Sequence, residues 1–305
     1  MVLFSNPKPF TSETRDVQIT AIRSWRRALP KAKILLFGND GALPEICRNE
    51  GIQHGGKTPY LHDTGKAILS HLFQTMGKSH PEQIQIYLNS DIVLGPGIGP
   101  AMEKLASLRH PWLATARRRC LSKFAGESWP QGEIELRLEK LGQGWKWGPP
   151  DAIDIFAYWQ TGFEKMPDFA VGHCAWDNWM IYHARQQGIV TIDATADLDI
   201  YHFEHGYQYS KGNTSIHQRA GPLEERNLRL LGGEGKRFHL GHATHELRGG
   251  QLRKRGGTAV WQRNLELWRL QNPRWERAIK LARSILHPMV RAWEKNTAAK
   301  EREFR

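Results

Sequence analysis

Asp91 is an acidic residue between two apolar runs, with Tyr87 and Leu88 before it and 92–94 after it. Burying an unpaired carboxylate there is costly, so its charge should be compensated. Mg²⁺ and Mn²⁺ prefer oxygen ligands and use one or two carboxylates together with the phosphates of a substrate. Asp91 is therefore a candidate metal ligand, and Asn89 and Ser90 add two polar groups beside it. A simple turn cap is an alternative of equal weight, because polar residues often follow strands.

A second carboxylate, Asp177, stands at the start of a predicted helix that contains Met180, Ile181 and Ala184. Free N–H groups and the helix dipole stabilise an anion at this position, so we expect Asp177 to stay ionised. An ionised carboxylate within hydrogen-bond reach of a hydroxyl can act as a general base. A plain helix cap is the alternative, at even odds.

Three arginines, Arg117, Arg118 and Arg119, follow a predicted strand and could neutralise a diphosphate through fork-shaped hydrogen bonds. A solvated basic turn is the alternative. Asp154 lies within an apolar run, where an unpaired acid is unfavourable. It could bind a substrate sugar or accept backbone N–H groups, and the sequence does not choose between them.

Two histidines, His202 and His205, follow a short apolar run, and a neutral imidazole could complete a metal site that Asp91 begins. Structural roles are equally open to both. The Gly206-Tyr207 context favours His205 as the ligand.

The elements that position these residues follow from apolar periodicity. Strands are predicted at 1–4, 34–37, 84–88, 112–116, 153–158 and 189–192, and helices at 21–29, 43–47, 63–76 (capped by Asp63) and 133–141, the last followed by a mobile loop. Strands that alternate with helices predict right-handed crossovers and a mainly parallel sheet flanked by helices. In such sheets, ligands bind beyond the carboxyl ends of strands, which is where Asp91 lies.

The domain organisation is predicted as one α/β domain at 1–210, an irregular Gly/His/Arg-rich segment at 211–257, and a basic amphipathic helical tail at 258–305. Of the net charge of +12, residues from 251 onward carry +9, with 14 Lys/Arg against 5 Asp/Glu. This concentration predicts no nucleic-acid-binding core, but it is compatible with a tail that attaches to an anionic membrane surface.

Composition narrows the class of protein further. Apolar residues at 40% and charged residues at 24% are typical of a globular chain and exclude wholesale disorder. The three scattered cysteines include no CxxC pair and indicate neither a disulfide framework nor a cysteine zinc site. No apolar run approaches the roughly 18 residues of a membrane span, and no signal peptide is evident. We expect a cytoplasmic protein, peripheral on the inner face of the membrane if the tail binds lipid.

The segment Tyr87-Leu88-Asn89-Ser90-Asp91-Ile92-Val93-Leu94 resembles the strand and Asp-x-Asp motif of GT-A type nucleotide-sugar glycosyltransferases, with Asn89 in place of the first acid. A longer pattern, over roughly residues 1 to 250, resembles a little-characterised glycosyltransferase-like group. That group has His-Gln-Asn-His-Asp-Tyr where this chain has His202-Phe203-Glu204-His205-Gly206-Tyr207. Both histidines and the tyrosine match. The residues between them differ from the pattern, and this difference leaves the acceptor-binding side of the site open.

The resemblance implies a GT-A-like, Rossmann-like fold and transfer of a sugar from a nucleotide diphosphate sugar to the hydroxyl of a glycan or lipid-linked acceptor. Asp91 would ligate Mn²⁺ or Mg²⁺, and Asp177 would take the acceptor proton in an inverting reaction. Asn39 and Asp40, which end the second strand, would contact the donor nucleoside, although a Gly-Asn-Asp-Gly turn is at least as good an explanation. A non-catalytic protein that keeps the fold is the main alternative, supported by the missing first acid. A nucleotidyltransferase ranks third, because no glycine-rich loop follows the first strand.

Overall fold

The structure is a computed structural model, and it describes residues 1–62, 64–142, 144–204 and 221–275. The strands are β1 Val2–Ser5, β2 Lys33–Phe37, β3 Gln53–Gly56, β4 Gln85–Leu88, β5 Ile92–Leu94, β6 Trp112–Arg117, β7 Arg119–Leu121, β8 Lys146–Trp147, β9 Ile153–Trp159, β10 Val190–Asp193, β11 Ile200–Phe203, β12 His245–Arg248 and β13 Gln251–Lys254. The α-helices are α1 Arg15–Ala28, α2 Leu43–Asn49, α3 Ser70–Ser79, α4 Ile98–Ala106, α5 Ile134–Leu141, α6 Trp176–Gln186, α7 Pro222–Leu231 and α8 Thr258–Gln271.

Nine of the described strands form one large sheet in the order β13-β12-β10-β6-β9-β4-β1-β2-β3. Five neighbouring pairs are parallel, and the antiparallel pairs are β12–β13 and the two that β9 makes with β4 and β6. The predicted fold class, an α/β protein with a mainly parallel sheet and helices around it, is confirmed. The reversed direction of β9 was not predicted, because an apolar run carries no sign of its direction in the sheet.

A second sheet of four short strands has the order β5-β11-β7-β8. Its strand β5 begins immediately after Asp91, and β7 begins two residues after the end of β6. The small sheet therefore continues from the same edge of the large sheet at which β4 and β6 end.

The core lies between the large sheet and its helices. Helix α1 buries Ala21, Ile22 and Trp25 completely, as their helical spacing predicts. The indole Nε1 of Trp25 donates to the backbone oxygen of Ile92 at 2.8 Å, so this helix also fixes the start of β5.

Contacts divide the chain into two compact units, Met1–Val260 and Trp261–Arg305. Strands β12 and β13 and helix α7 lie in the segment 211–257, and β12 pairs with β10 of the large sheet. Asp63, predicted to cap a helix, lies outside the described residues. The helix begins at Ser70, and Ile68 forms a β-bridge with Ala170 instead. Among the described helices, none has the length and apolar content that crossing a bilayer requires.

Candidate functional site

The carboxyl ends of β1, β2, β4 and β6 face one edge of the large sheet, and the antiparallel strand β9 begins at that edge. The segments that follow these strands therefore meet there with the start of β9. They supply the polar side chains of the candidate site, which are Lys8, Asn39, Asp40, Asn89, Ser90, Asp91, Arg118 and Asp154.

Asp91 is buried, and its Oδ2 accepts a hydrogen bond from the Lys8 ammonium at 2.7 Å. The side chain of Lys8 is 48% exposed, whereas that of Asp91 is 7% exposed. His202 is buried beside them, with its Nε2 at 3.8 Å from Asp91 Oδ2. The compensating charge that the sequence requires for Asp91 is thus supplied in this structure by a lysine from the loop after β1.

Gln18, a fully buried residue of α1, holds the Lys8 loop and the Asp91 loop together. Its Oε1 accepts from the backbone N–H of Lys8 at 2.9 Å and from the Ser90 hydroxyl at 2.6 Å. Its Nε2 donates to the backbone oxygen of Lys8 at 3.1 Å. One amide therefore fixes the position of the Lys8 backbone relative to the residue before Asp91.

Asp154, at the start of β9, is the centre of a second polar cluster. Its Oδ1 accepts from the Asn89 side-chain amide at 2.7 Å, and its Oδ2 accepts from Arg118 Nη1 at 2.8 Å. Asp154 is buried and Arg118 half-buried, with side-chain exposures of 8% and 15%. Asn89 stands where the Asp-x-Asp motif has its first acid. It thus serves as a hydrogen-bond donor to the carboxylate of Asp154.

Asp177 lies in the first turn of α6, as predicted. The residue Ala175 before this helix has φ of 84°, a left-handed conformation that is strained for a residue with a Cβ. The Trp176 ring packs against Tyr87 of β4 and Phe156 of β9, with centroid distances of 5.2 and 5.3 Å. These contacts place Asp177 near the strand ends that carry Asp91 and Asp154.

The pKa of Asp177 is raised from 3.8 to about 7, mainly by burial and in part by the nearby carboxylates of Asp154 and Asp151. The N–H of Asn178, which donates to Asp177 Oδ1 at 2.9 Å, opposes the shift. The helix start therefore does not keep Asp177 fully ionised near pH 7, as the sequence predicts, because the loss of hydration outweighs the stabilisation by the helix N–H groups. A carboxyl with this pKa can both bind and release a proton near pH 7.

Asn39 and Asp40 hold loops in place through backbone hydrogen bonds. The Asn39 amide exchanges two bonds with the backbone of Thr58, at 2.6 and 3.1 Å. Asp40 accepts from the backbone N–H of Phe10 at 2.7 Å and of Ala42 at 2.9 Å. Their predicted contact with a donor nucleoside stays a prediction. In this structure Asp40 fixes the far end of the Lys8 loop, and Asn39 fixes the loop at Thr58.

Arg117 and Arg119 are directed to a different place from Arg118. Arg117 Nε donates to the backbone oxygen of Gly148, and Arg119 pairs with Asp199. The Arg119 guanidinium also lies over the rings of three aromatic residues, Trp145, Trp147 and Tyr201, at 5.0 to 5.5 Å. Of the three arginines, Arg118 is therefore the one that joins the carboxylate cluster.

The described part of the chain holds no metal centre made of protein ligands alone. No group of three or more His, Cys, Asp and Glu side chains that could hold a metal occurs among the described residues. Asp91 and His202 are two candidate ligands, and an ammonium already lies against the carboxylate of the first. His205, the predicted ligand, lies outside the described residues.

Sequence reasoning missed two residues of this site, Lys8 and Gln18. Gln18 carried a signal, because it precedes Ala21, Ile22 and Trp25 by three, four and seven positions and so lies on the apolar face of α1. A buried amide on such a face needs hydrogen-bond partners. Lys8 carried a weaker one, its place between Pro7 and Pro9 after the first strand.

No protein-family profile and no curated protein matches this chain. Solved structures with a similar fold include GalNAc-T7 with UDP, GalNAc and Mn²⁺, at 13% identity and a TM-score of 0.47 over 76% of this chain and 48% of that one. A second is the mannosyltransferase PcManGT from Pyrobaculum calidifontis with GDP-Man and Mn²⁺, at 9% identity and a TM-score of 0.40 over 68% of this chain and 58% of that one.

A third is CMP:2-keto-3-deoxy-manno-octonic acid synthetase complexed with CTP, at 11% identity and a TM-score of 0.32 over 67% of this chain and 88% of that one. The chain spans about half the length of the first two structures. Identities at this level describe the fold alone, a mixed α/β architecture. The chemistry of the site is therefore argued from this chain's own residues.

Proposed function

We propose that this protein is a glycosyltransferase that moves a sugar from a nucleoside diphosphate sugar to a hydroxyl of a glycan or lipid-linked acceptor. The observation that carries the proposal is a pair of ion pairs, Lys8–Asp91 and Arg118–Asp154, with Asp177 near Asp154, at the carboxyl edge of a mainly parallel sheet. Ligands of open α/β sheets bind at this edge. The cluster offers cations for an anionic leaving group and a carboxyl that exchanges a proton near neutral pH.

In the proposed reaction, the acceptor oxygen attacks the anomeric carbon of the donor sugar. The bond from that carbon to the diphosphate oxygen breaks, and its electron pair leaves with the diphosphate. Ionised Asp177 takes the hydroxyl proton as general base. Attack on the face opposite the leaving group inverts the anomeric centre, and carboxylates near the site favour the positive charge that develops on the sugar ring.

The mechanism includes no step through a divalent metal, because no group of three metal-binding side chains occurs among the described residues. Dependence on Mn²⁺ or Mg²⁺ stays a prediction from the resemblance of 87–94.

Attachment to an anionic membrane through 258–305 also stays a prediction, since residues from 276 onward lie outside the described part of the chain. Co-sedimentation with anionic vesicles at low and at about 0.5 M salt tests it, because added ions screen the attraction.

A non-catalytic binding protein is the second candidate, and the amide of Asn89 in place of an acid favours it. A thermal-shift panel of nucleotide sugars, with Mn²⁺ and with EDTA, identifies a donor, because a ligand of the native state raises its stability. Release of nucleoside diphosphate is then measured with the wild type and with Asp177→Asn. Release that the substitution slows supports the transferase. Equal binding with no release from either protein supports the binding protein, and the absence of any shift across the panel refutes both.

A further inference from the structure

The loop between β1 and α1 holds a cation at a fixed place in the candidate site. Lys8 stands between Pro7 and Pro9, whose rings restrict the backbone on both sides. Asn6 Nδ2 donates to the Phe37 oxygen at 2.7 Å at one end of the loop, and Asp40 accepts from Phe10 at the other. The position of the Lys8 backbone is thus determined by the fold.

The middle of this loop is fixed as well, by the two backbone hydrogen bonds that Lys8 makes with buried Gln18. The same Gln18 accepts from Ser90, the neighbour of Asp91 in sequence. Lys8 and Asp91, 83 residues apart in the chain, are therefore brought together by shared backbone anchors in addition to their own 2.7 Å contact. A chance surface ion pair does not require such support.

The arrangement leaves the ammonium able to face a ligand. Nearly half of the Lys8 side chain is exposed, at 48%. A divalent ion bonded to Asp91 Oδ2 would lie within a few ångströms of this ammonium, and the two cations would repel each other.

We infer that the Lys8 ammonium, oriented by Asp91, binds the diphosphate of the donor and that this binding needs no divalent metal. The inference rests on the proposed function for the identity of the ligand as a nucleoside diphosphate. In this inference the Lys8 ammonium neutralises the charge of the diphosphate, a role that the Asp-x-Asp resemblance assigns to a metal on Asp91. Phosphate oxygens accept strong charge-assisted hydrogen bonds from lysine.

The test measures binding of UDP, GDP and inorganic pyrophosphate by calorimetry, in EDTA and in Mn²⁺, to the full-length protein. The variants are Lys8→Met and Lys8→Arg, with Lys104→Met as the control from the exposed end of α4. We expect EDTA to leave the affinity of the wild type within about twofold. Lys8→Met should weaken binding by about ten- to a hundredfold, the contribution of one charge-assisted hydrogen bond, whereas Lys8→Arg should retain part of the affinity and Lys104→Met all of it.

Loss of binding in EDTA overturns the inference, whatever the variants do, and returns the site to a metal on Asp91. Full affinity of Lys8→Met also overturns it. Pyrophosphate binding that depends on Lys8, together with no binding of UDP or GDP, keeps the anion site of Lys8 and refutes the proposed function. If none of the three probes binds, both fail. Unfolding temperatures of the unliganded variants show whether each variant is folded.

Discussion

The raised pKa of Asp177 predicts that the stability of this protein depends on pH in a specific window. The folded state binds the Asp177 proton more tightly than the unfolded state, since the pKa is about 7 in the fold against an ordinary value of 3.8. The free energy of unfolding therefore falls as the pH rises through this window and levels off above it. One pKa unit corresponds to about 1.4 kcal/mol, so the full shift amounts to about 4 kcal/mol. Because water still reaches part of the side chain, we expect about 2 to 4 kcal/mol.

The substitution Asp177→Asn removes the ionisable group but keeps its shape and the oxygen that accepts from Asn178. At about pH 8 the free energy of unfolding of the variant should exceed that of the wild type by about 2 to 4 kcal/mol. The difference should shrink to under about 1 kcal/mol near pH 4, where the carboxyl is protonated in the folded state and roughly two-fifths protonated in the unfolded state. Urea denaturation of both proteins at several pH values measures it.

The matched control is Glu45→Gln, which also removes a carboxylate from the first turn of a helix, α2, but at an exposed position. It should change the free energy of unfolding by less than about 1 kcal/mol at every pH. Stability curves for wild type and Asp177→Asn that stay parallel from about pH 4 to about pH 8 would show that the pKa of Asp177 is ordinary, and the reasoning from burial would be refuted.

The pH dependence of activity gives a second, independent test of the pKa and of the general-base role of Asp177. A general base works only when ionised, so kcat/KM should fall as the pH drops below about 7 in the wild type. Asp177→Asn should lose roughly a factor of 10² to 10⁴ in turnover and should no longer show this acidic limb. A variant that keeps full turnover, or that keeps the limb, rules out the base.

Three further substitutions test the supports of the site. Asp91→Asn should weaken nucleoside diphosphate binding in calorimetry measurably but by no more than Lys8→Met does, because it removes the group that orients the Lys8 ammonium and leaves the ammonium itself. It should change the free energy of unfolding by less than about 1 kcal/mol, since its partner is half-exposed. Arg118→Met should cost about 3 kcal/mol in urea denaturation, because it leaves Asp154 buried without its cation, and adding Asp154→Asn should restore part of the loss. Trp25→Phe should cost about 2 to 4 kcal/mol, because it removes ring volume and leaves the buried oxygen of Ile92 without its donor.

Specific results would contradict the expectations for Asp91→Asn and Arg118→Met. Unchanged affinity in Asp91→Asn removes the residue from the site, and a large fall in its unfolding temperature makes it a structural residue. The exposed pair Arg137–Glu133 is the control for Arg118, because Arg137→Met should cost under about 1 kcal/mol. An equal loss from both arginine variants would mean that burial does not set the strength of the Arg118–Asp154 pair.

The strands that the sequence predicts are those whose apolar runs are buried on both faces. Strands β4 and β9 belong to this class, and their ranges agree with the predicted ones to within a residue. Strands β3 and β8 were not predicted, because Gln-His-Gly-Gly and Lys-Trp carry no apolar pattern. Such short strands form because a neighbouring strand offers hydrogen bonds, and that information lies elsewhere in the chain.

The residues of the site also fall into those that the sequence predicts and those that it does not. Asp91 and Asp154 could be selected because each is an acid in an apolar context, where the cost of burial demands a partner. The partners themselves, Lys8 and Arg118, could not be assigned to them, since the pairs join residues 83 and 36 positions apart. Local rules indicate which groups need compensation, and only the topology of the sheet determines what compensates them.

Asp177 shows the limit of a local rule most clearly, because two effects of known direction compete there. The helix start favours the anion, and burial beside other carboxylates favours the neutral form. Protonation of Asp177 removes one negative charge from the carboxylates and cations of the site. An incoming diphosphate anion is therefore bound better by the protonated form, whereas the proposed chemistry needs the ionised form. A pKa of about 7 keeps both forms populated at neutral pH, so one carboxyl can admit the anionic donor and then accept the proton of the acceptor.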